Sequence, residues 1–394
     1  MRTVEQHARI IADLLRPTPV ESTPLAHARG LVLGADLRAS LDLPPFANSA
    51  MDGYAVRAAD LPAFPVTLPV SQDIPAGRTD VAPLAPGTAA RIMTGAPLPP
   101  GADVIVPVER TDGGAERVRI DGAPAAGTHI RGVGEDVRRG DVVLTAGTVI
   151  GAPQIGVAAA LGLARLPLRR PLRALVLSTG TELVAPGRPL QPGQIYESNA
   201  PMLAAALAAV GAVPTIEHFV ADDVDALRAG LDRACAGQDL IITSGGVSAG
   251  AYEVVKDALT GQGIEFAKVA MQPGMPQGAG RYQGVPMVTL PGNPVSSYVS
   301  FEVFLRPAIR AAMGHPDITR PAVSAPLSAP LDSPAGKRQF RRGQLDTVNG
   351  TVAAWGGPGS HLLAWLAGAD CMLVIPEDVT HLDAGDQVEV WLLG

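Results

Sequence analysis

Residues 172–313 alternate short apolar runs with amphipathic stretches. Leu172–Leu177, Val213–Phe219, Leu240–Thr243, Ile264–Ala270 and Val285–Leu290 are rich in Val, Ile and Leu and have strand length. Between them, Leu203 with Leu207, Leu227 with Leu231, and Val254, Val255, Ala258 with Leu259 recur at helical spacing. Ser198-Asn199 and Asp222-Asp223 stand where helix caps are expected. A further helix runs from the 291–296 turn to about Met313. Strand alternating with helix predicts an α/β unit with a doubly wound, mainly parallel sheet. Ligands of such sheets sit at the carboxyl ends of the strands. Four loops meet there: 178–182, 244–250, 271–278 and 291–296.

The flanks have other rhythms. Val4, Ile10, Ile11, Leu14 and Leu15 mark an amphipathic helix within residues 1–20, closed by Pro17. Residues 21–42 read as strand–turn–strand around Gly30 and Gly34. Residues 57–140 carry short β-like runs among Pro and Gly and no helical period, which predicts a small β domain. Residues 141–170 return to a strand and an Ala-rich helix near Val157–Leu163, and Pro167 to Pro171 read as a boundary. After Pro321 short strands and turns resume.

Composition narrows the picture. The 394 residues are 47% hydrophobic and 18% charged, which suits a globular chain of several domains. Only 4% are aromatic, so Ala, Val and Leu must fill the cores. The formal net charge is −7 and no long basic run occurs, which argues against nucleic acid as a partner. No signal core or membrane-length apolar span appears, so no membrane role is expected and the cytoplasm is the expected compartment. Two cysteines, Cys235 and Cys371, cannot form a disulfide framework or a cysteine-rich metal site, and Cys235 reads as core.

Candidate chemistry gathers in the loops. The strand Leu240–Thr243 feeds Ser244-Gly245-Gly246-Val247-Ser248 and then a helix. Bare backbone N–H groups and a helix N-terminus make such a turn an anion cradle, although any tight turn of a parallel sheet looks the same. Asp52-Gly53 is a strong turn with a carboxylate at its tip. Asp136 beside Glu135 is either an exposed functional carboxylate or a loop end. Lys337 to Arg342 is a local basic run, either a solvated face or an anion contact.

Six motifs in order resemble the MoeA family, the molybdopterin molybdenumtransferases, which includes the E domain of gephyrin. They are Pro44-Pro45-Phe46 through Met51-Asp52-Gly53-Tyr54-Ala55-Val56, Thr94-Gly95-Ala96-Pro97, Gly134-Glu135-Asp136, Ser178-Thr179-Gly180-Thr181-Glu182-Leu183, Ser244 to Ser248, and Leu290-Pro291-Gly292-Asn293-Pro294-Val295-Ser296. The resemblance spans essentially the whole chain. It implies four domains: 1–20 plus 171–318 as the central α/β molybdopterin-binding unit, 21–42 plus 141–170 as a linking unit, 43–140 as an inserted β domain, and 319–394 as a C-terminal β-barrel.

The resemblance also implies a reaction: adenylylated molybdopterin accepts molybdenum from molybdate, AMP leaves, and molybdenum cofactor forms. By family position, Asp52, Asp136, Glu182, Asp222 and Lys268 are the catalytic candidates. Thr94, Ser178, Thr179, Gly180, Thr181, Asn199, Ser244, Gly245, Gly246, Ser248, Glu253, Gln272, Pro291, Gly292, Asn293, Pro294, Arg342 and Ser360 are the substrate-binding ones. Arg342 and Ser360 match positions implied in holding molybdate. Mg²⁺, held by Glu182 and Asp222, is the implied cofactor. A homodimer is implied, with Asp52 and Asp136 facing the other chain's site, and the adenylyltransferase and molybdoenzyme chaperones as further partners. Three positions depart from the pattern. Glu253 stands for an Asp, and Gln272 and Met275 stand where many members carry lysines. The adenylyltransferase that precedes this step and a non-catalytic scaffold are the alternatives; the flanking motifs oppose the first and the acidic set opposes the second.

Overall fold

The computed structural model describes residues 1–180, 182–219, 224–245 and 258–393. Its central sheet has six strands in the order Val213–Phe219, Arg173–Thr179, Leu240–Ser244, Val285–Leu290, Pro276–Tyr282, Ile264–Lys268. The first four run parallel. The last two join antiparallel, so the sheet is mixed rather than nearly all parallel.

The unexpected strand is Pro276–Tyr282, whose first residues fall within the loop 271–278 expected from sequence. It holds three residues of the Gly/Pro type and lacks alternating apolar side chains. Gly280 is needed there, because a Cβ would lie 2.0 Å from the carbonyl oxygen of Gly263 on the neighbouring chain segment. Gln283 (φ 48°) and Gly284 (φ 85°) then close a tight hairpin onto Val285.

Alternate strand residues face opposite layers. Ala174, Val176, Leu240, Ile242, Val288 and Leu290 pack with helices Val4–Leu14, Asn199–Ala209 and the 294–312 helix. Leu175, Leu177, Ile241 and Met287 pack with Leu227 and Leu231 of helix Val224–Ala234, and with buried Cys235. Both faces are therefore covered, as a buried parallel region requires. The 294–312 helix contains one wide π turn at Phe301–Leu305. The N-terminal helix is closed by a reciprocal Thr3–Gln6 cap. Among the described residues no helix is long and apolar enough to cross a membrane.

The flanking strands find remote partners. Val20–Pro24 pairs with Arg165–Arg169, and Leu37–Arg38 with Val142–Leu144. Pro167, read as part of a boundary, thus lies inside a strand, where its carbonyl accepts from the Gly34 amide at 2.9 Å. Residues 53–120 form a five-stranded sheet in the order Val104–Pro107, Gly53–Val56, Ala89–Ile92, Val66–Ile74, Arg117–Ile120. C-terminal strands Arg338–Asp346, Cys371–Ile375, Gln387–Leu392 and Ala322–Pro326 pair antiparallel in that order, with Thr351–Ala354 on the outer side of the first. The short strand Met271–Gln272 joins this sheet at Arg338–Gln339, so loop 271–278 is clamped between the central and C-terminal parts.

Candidate active site at the carboxyl edge

Strand register sets the frame of the site. Leu177, Thr243, Thr289, Gly278 and Phe266 form one row across the sheet. Two residues further on, Thr179, Gly245, the 291 turn and Lys268 come out at the same edge. Strand Ile264–Lys268 runs in the parallel direction because two antiparallel steps restore it. Thr179 and Lys268 are four strand spacings apart, about 19 Å. Lys268 is exposed there, and its carbonyl accepts from the Arg2 amide at 2.9 Å.

Asn199 draws three segments together. Its amide nitrogen donates to Ser244 Oγ at 2.7 Å and to the Gly292 carbonyl at 2.7 Å. Its Oδ1 is buried without a hydrogen-bond partner. The Gly245 amide donates to the Leu290 carbonyl at 3.0 Å, and a Cβ on Gly292 would lie 3.3 Å from Gly245 Cα. Ser244 is buried, and the two glycines let the chain turns approach.

Beneath this knot lies Glu197, which no sequence motif marks. It is buried, accepts from the Ser178 hydroxyl through one carboxylate oxygen, and accepts from the Ala200 amide through the other at 2.8 Å. Ser198 makes no capping bond, so Glu197 rather than Ser198 closes helix Asn199–Ala209. An acidic residue just before a helix start is the signal that could have found it. Its backbone also anchors the Glu182 loop: Glu197 N donates to Val184 O and Ile195 N to Glu182 O, both at 2.9 Å. Glu182 itself is exposed, with its carboxylate folded over Gly180, where a Cβ would be 2.5 Å away.

Turn 291–296 leads into a helix beginning at Pro294, with Asn293 in extended conformation before it. The Val295 amide donates to the Ser360 carbonyl at 3.1 Å, so Ser360 does reach the site from the C-terminal part. Arg342 does not reach it freely. It is buried, and its guanidinium donates to the carbonyls of Gly357 and, at 3.2 Å, Gly359. Burial, with Arg341 alongside, pushes its pKa down. Arg342 thus shapes the 356–360 loop that presents Ser360. Gln272 is half-buried, and its Oε1 accepts from Gln339 Nε2 at 3.1 Å.

Asp52 and Asp136 lie elsewhere in the chain. Asp52 Oδ1 accepts from the Thr94 amide (2.7 Å) and hydroxyl (2.8 Å). These bonds, the amide first, hold the exposed carboxyl below its usual pKa. The Asp52 turn is fixed by Gly53, where a Cβ would lie 2.1 Å from Val106 O. Asp136 is exposed, and its amide donates to Leu43 O at 2.9 Å. The short pairing of Asn48–Ser49 with Ile130–Arg131 brings both loops to one side of the small sheet. Thr181, Asp222, Gly246, Ser248 and Glu253 lie outside the described residues.

Among the described residues no group of three or more His, Cys, Asp or Glu could hold a metal ion. One carboxylate is nevertheless a workable start for Mg²⁺, which commonly takes one or two carboxylates, waters and substrate phosphate oxygens. The position of Glu182 over the Ser178–Gly180 turn fits that donor set.

Three family models cover the chain: MoeA N-terminal region (domain I and II) over residues 2–162, a probable molybdopterin binding domain over 175–311, and MoeA C-terminal region (domain IV) over 324–393. The chain is 57% identical to molybdopterin molybdenumtransferase 2 of Mycobacterium tuberculosis (strain CDC 1551 / Oshkosh) over 99% of each chain. It is 38% identical to molybdopterin molybdenumtransferase 1 of the same organism, over 100% of this chain and 99% of that one. The structure matches the crystal structure of the molybdopterin biosynthesis MoeA protein from Pyrococcus horikosii with a TM-score of 0.84 at 29% identity, over 100% and 99% of the two chains. The chain belongs to the MoeA family, the molybdopterin molybdenumtransferases of molybdenum cofactor biosynthesis.

Proposed function

We propose that this chain transfers molybdenum from molybdate to the dithiolene of adenylylated molybdopterin, with release of AMP and formation of molybdenum cofactor. The observation that carries the reading is the convergence of Ser178, Asn199, Ser244, Gly245 and Gly292 at one edge of the sheet. Hydroxyl, carboxamide and bare backbone groups there suit the phosphates of the substrate. Lys268, at the far end of the same edge, offsets phosphate charge as the phosphoanhydride is cleaved. Thr179 and Gly180 belong to the same rim, and Pro291, Asn293 and Pro294 shape its far wall; Thr181, Gly246, Ser248 and Glu253 are assigned to the substrate by family position alone. Ser360 and the Arg342-braced loop receive molybdate. When bound, Mg²⁺ neutralises charge at the phosphoanhydride; Glu182 and Asp222 would hold it.

The chain works as a homodimer in this reading. Asp52 and Asp136 bond only within residues 43–140 among the contacts described, which leaves their carboxylates free to complete the site of the partner chain. The four-domain division 1–20 plus 171–318, 21–42 plus 141–170, 43–140 and 319–394 follows from the same reading. Closure of the last into a barrel is supported by the bridge between Leu327 and Val352, which links the two ends of the sheet. Gln272 and Met275 leave the 271–278 loop uncharged, so Gln272 meets the oxyanion as a neutral amide donor. The test is AMP release from adenylylated molybdopterin by the purified protein with Mg²⁺. Release that requires molybdate and is lost in Glu182→Ala supports the reading; substrate binding without release overturns it.

A further inference from the structure

A second cavity lies at the opposite, amino edge of the central sheet. Strand Arg173–Thr179 separates it from the substrate edge by its length, roughly 20 Å. The cavity holds about 180 Å³ and is walled by Arg29, Val32, Arg169, Gly211, Met313 and His315, among others. No carboxylate lines it.

Its cationic walls are fixed by the fold. The Arg169 amide donates to Val32 O at 2.9 Å, and its guanidinium donates to Thr18 O at 2.8 Å through one nitrogen. The stem of Arg169 lies on Gly314, where a Cβ would come 2.8 Å from its Cδ. Gly314 is in the left-handed region (φ 78°) and ends helix Arg306–Ala312. The His315 amide then donates to Arg310 O at 3.0 Å, closing the turn that brings His315 to the cavity wall. His315 Nδ1 is buried and has no hydrogen-bond partner. Arg29 is exposed and makes no ion pair among the described residues.

Two helices end here, and cations beside helix C-termini have a bland explanation: they complement the dipoles. That role is already filled by backbone. The carbonyls of Leu207, Ala208, Arg310 and Ala311 accept from the amides of Ala212, Gly211, His315 and Gly314. Two arginines and a histidine with an unpartnered ring nitrogen, lining one small cleft, remain to be accounted for. Such a set matches the oxygens of a tetrahedral anion.

We propose that this cavity binds a small tetrahedral oxyanion of the phosphate or sulfate class, held by Arg29, Arg169 and His315. The bound anion bridges the 29–32 segment and the 165–169 strand to the two helix ends of the central unit. It is independent of the substrate edge.

The test is calorimetric titration of sodium phosphate, and separately sulfate, into the full-length protein, with chloride at matched ionic strength as control. A saturable site is expected, distinct from any anion uptake at the substrate edge. Its affinity falls roughly tenfold or more in Arg29→Gln and in Arg169→Lys, as loss of a charge-assisted contact requires. Arg29→Gln removes no described bond, so its fold is retained and the result is interpretable. Lys268→Ala leaves this affinity unchanged, which separates the cavity from the substrate edge. No saturable heat in the wild type, or an affinity unaltered in folded Arg29→Gln, overturns the proposal; an affinity lost in Lys268→Ala instead assigns the anion to the substrate edge and overturns it equally.

Discussion

Two regions of this chain carry the polar groups proposed for one reaction, and they are built in opposite ways. At the carboxyl edge of the central sheet, Ser178, Glu197, Asn199 and Ser244 are tied to one another across four segments, and Glu197 and Ser244 are buried. On the small β unit, Asp52 and Asp136 are exposed, and Asp52 is held only by Thr94. The first region organises itself within one chain. The second holds its carboxylates out on two loops, with no bond to the central unit among the described residues. Mutations should therefore separate stability from activity differently in the two places.

The largest effect should come from Glu197→Ala. It leaves the buried Ser178 hydroxyl and the Ala200 amide without their acceptor, a loss of about 3 kcal/mol. A denaturant midpoint shifted at constant slope reads it, and Glu197→Gln, which keeps an acceptor oxygen, should recover much of the loss. Asn199→Ala comes next. Two donors at 2.7 Å disappear and a hydroxyl and a carbonyl lose their partner, about 2 kcal/mol, with KM rising as the three turns loosen.

Asp52→Asn is the contrast. The unfolding midpoint at pH 7 should fall far less than in Asn199→Ala, because Asn keeps an acceptor oxygen for Thr94, while AMP release is lost. If the midpoint falls as far as in Asn199→Ala, the two regions do not differ as described. The smallest effect is a titration. The folded pKa of Asp52 is depressed, so the Thr94 contact stabilises above the ordinary aspartate range and is lost as pH falls through the folded value, below about 4. Thr94→Val removes the hydroxyl bond, and the carbon chemical shift of the Asp52 carboxyl should then titrate at higher pH.

Legibility from sequence divides along a related line. The strands that open at Leu172, Val213, Leu240 and Val285 announce themselves as β-branched or leucine-rich runs, and the motifs at 178–182 and 291–296 lie at their ends. The strand Pro276–Tyr282 does not, because its place depends on glycines that fit against Gly263 and Thr289, a tertiary requirement. Glu197 belongs to none of the motifs; its importance comes from Ser178, 19 positions away. Arg342 looked like a free cation in a basic run, yet the Gly357 and Gly359 carbonyls consume it. Pairing of Val20–Pro24 with Arg165–Arg169 joins segments that no local pattern connects.

The central claim is that the buried knot and the exposed carboxylates act together across two chains. Mixing Asp52→Ala protein with Glu182→Ala protein under exchange tests it most directly, with molybdate-dependent AMP release as the signal. If the site is shared, half the dimers are mixed and one of their two sites is intact, so activity returns to about a quarter of wild type. If the mixture stays as inactive as either variant alone while dimers do exchange, Asp52 acts within its own chain and the account is wrong.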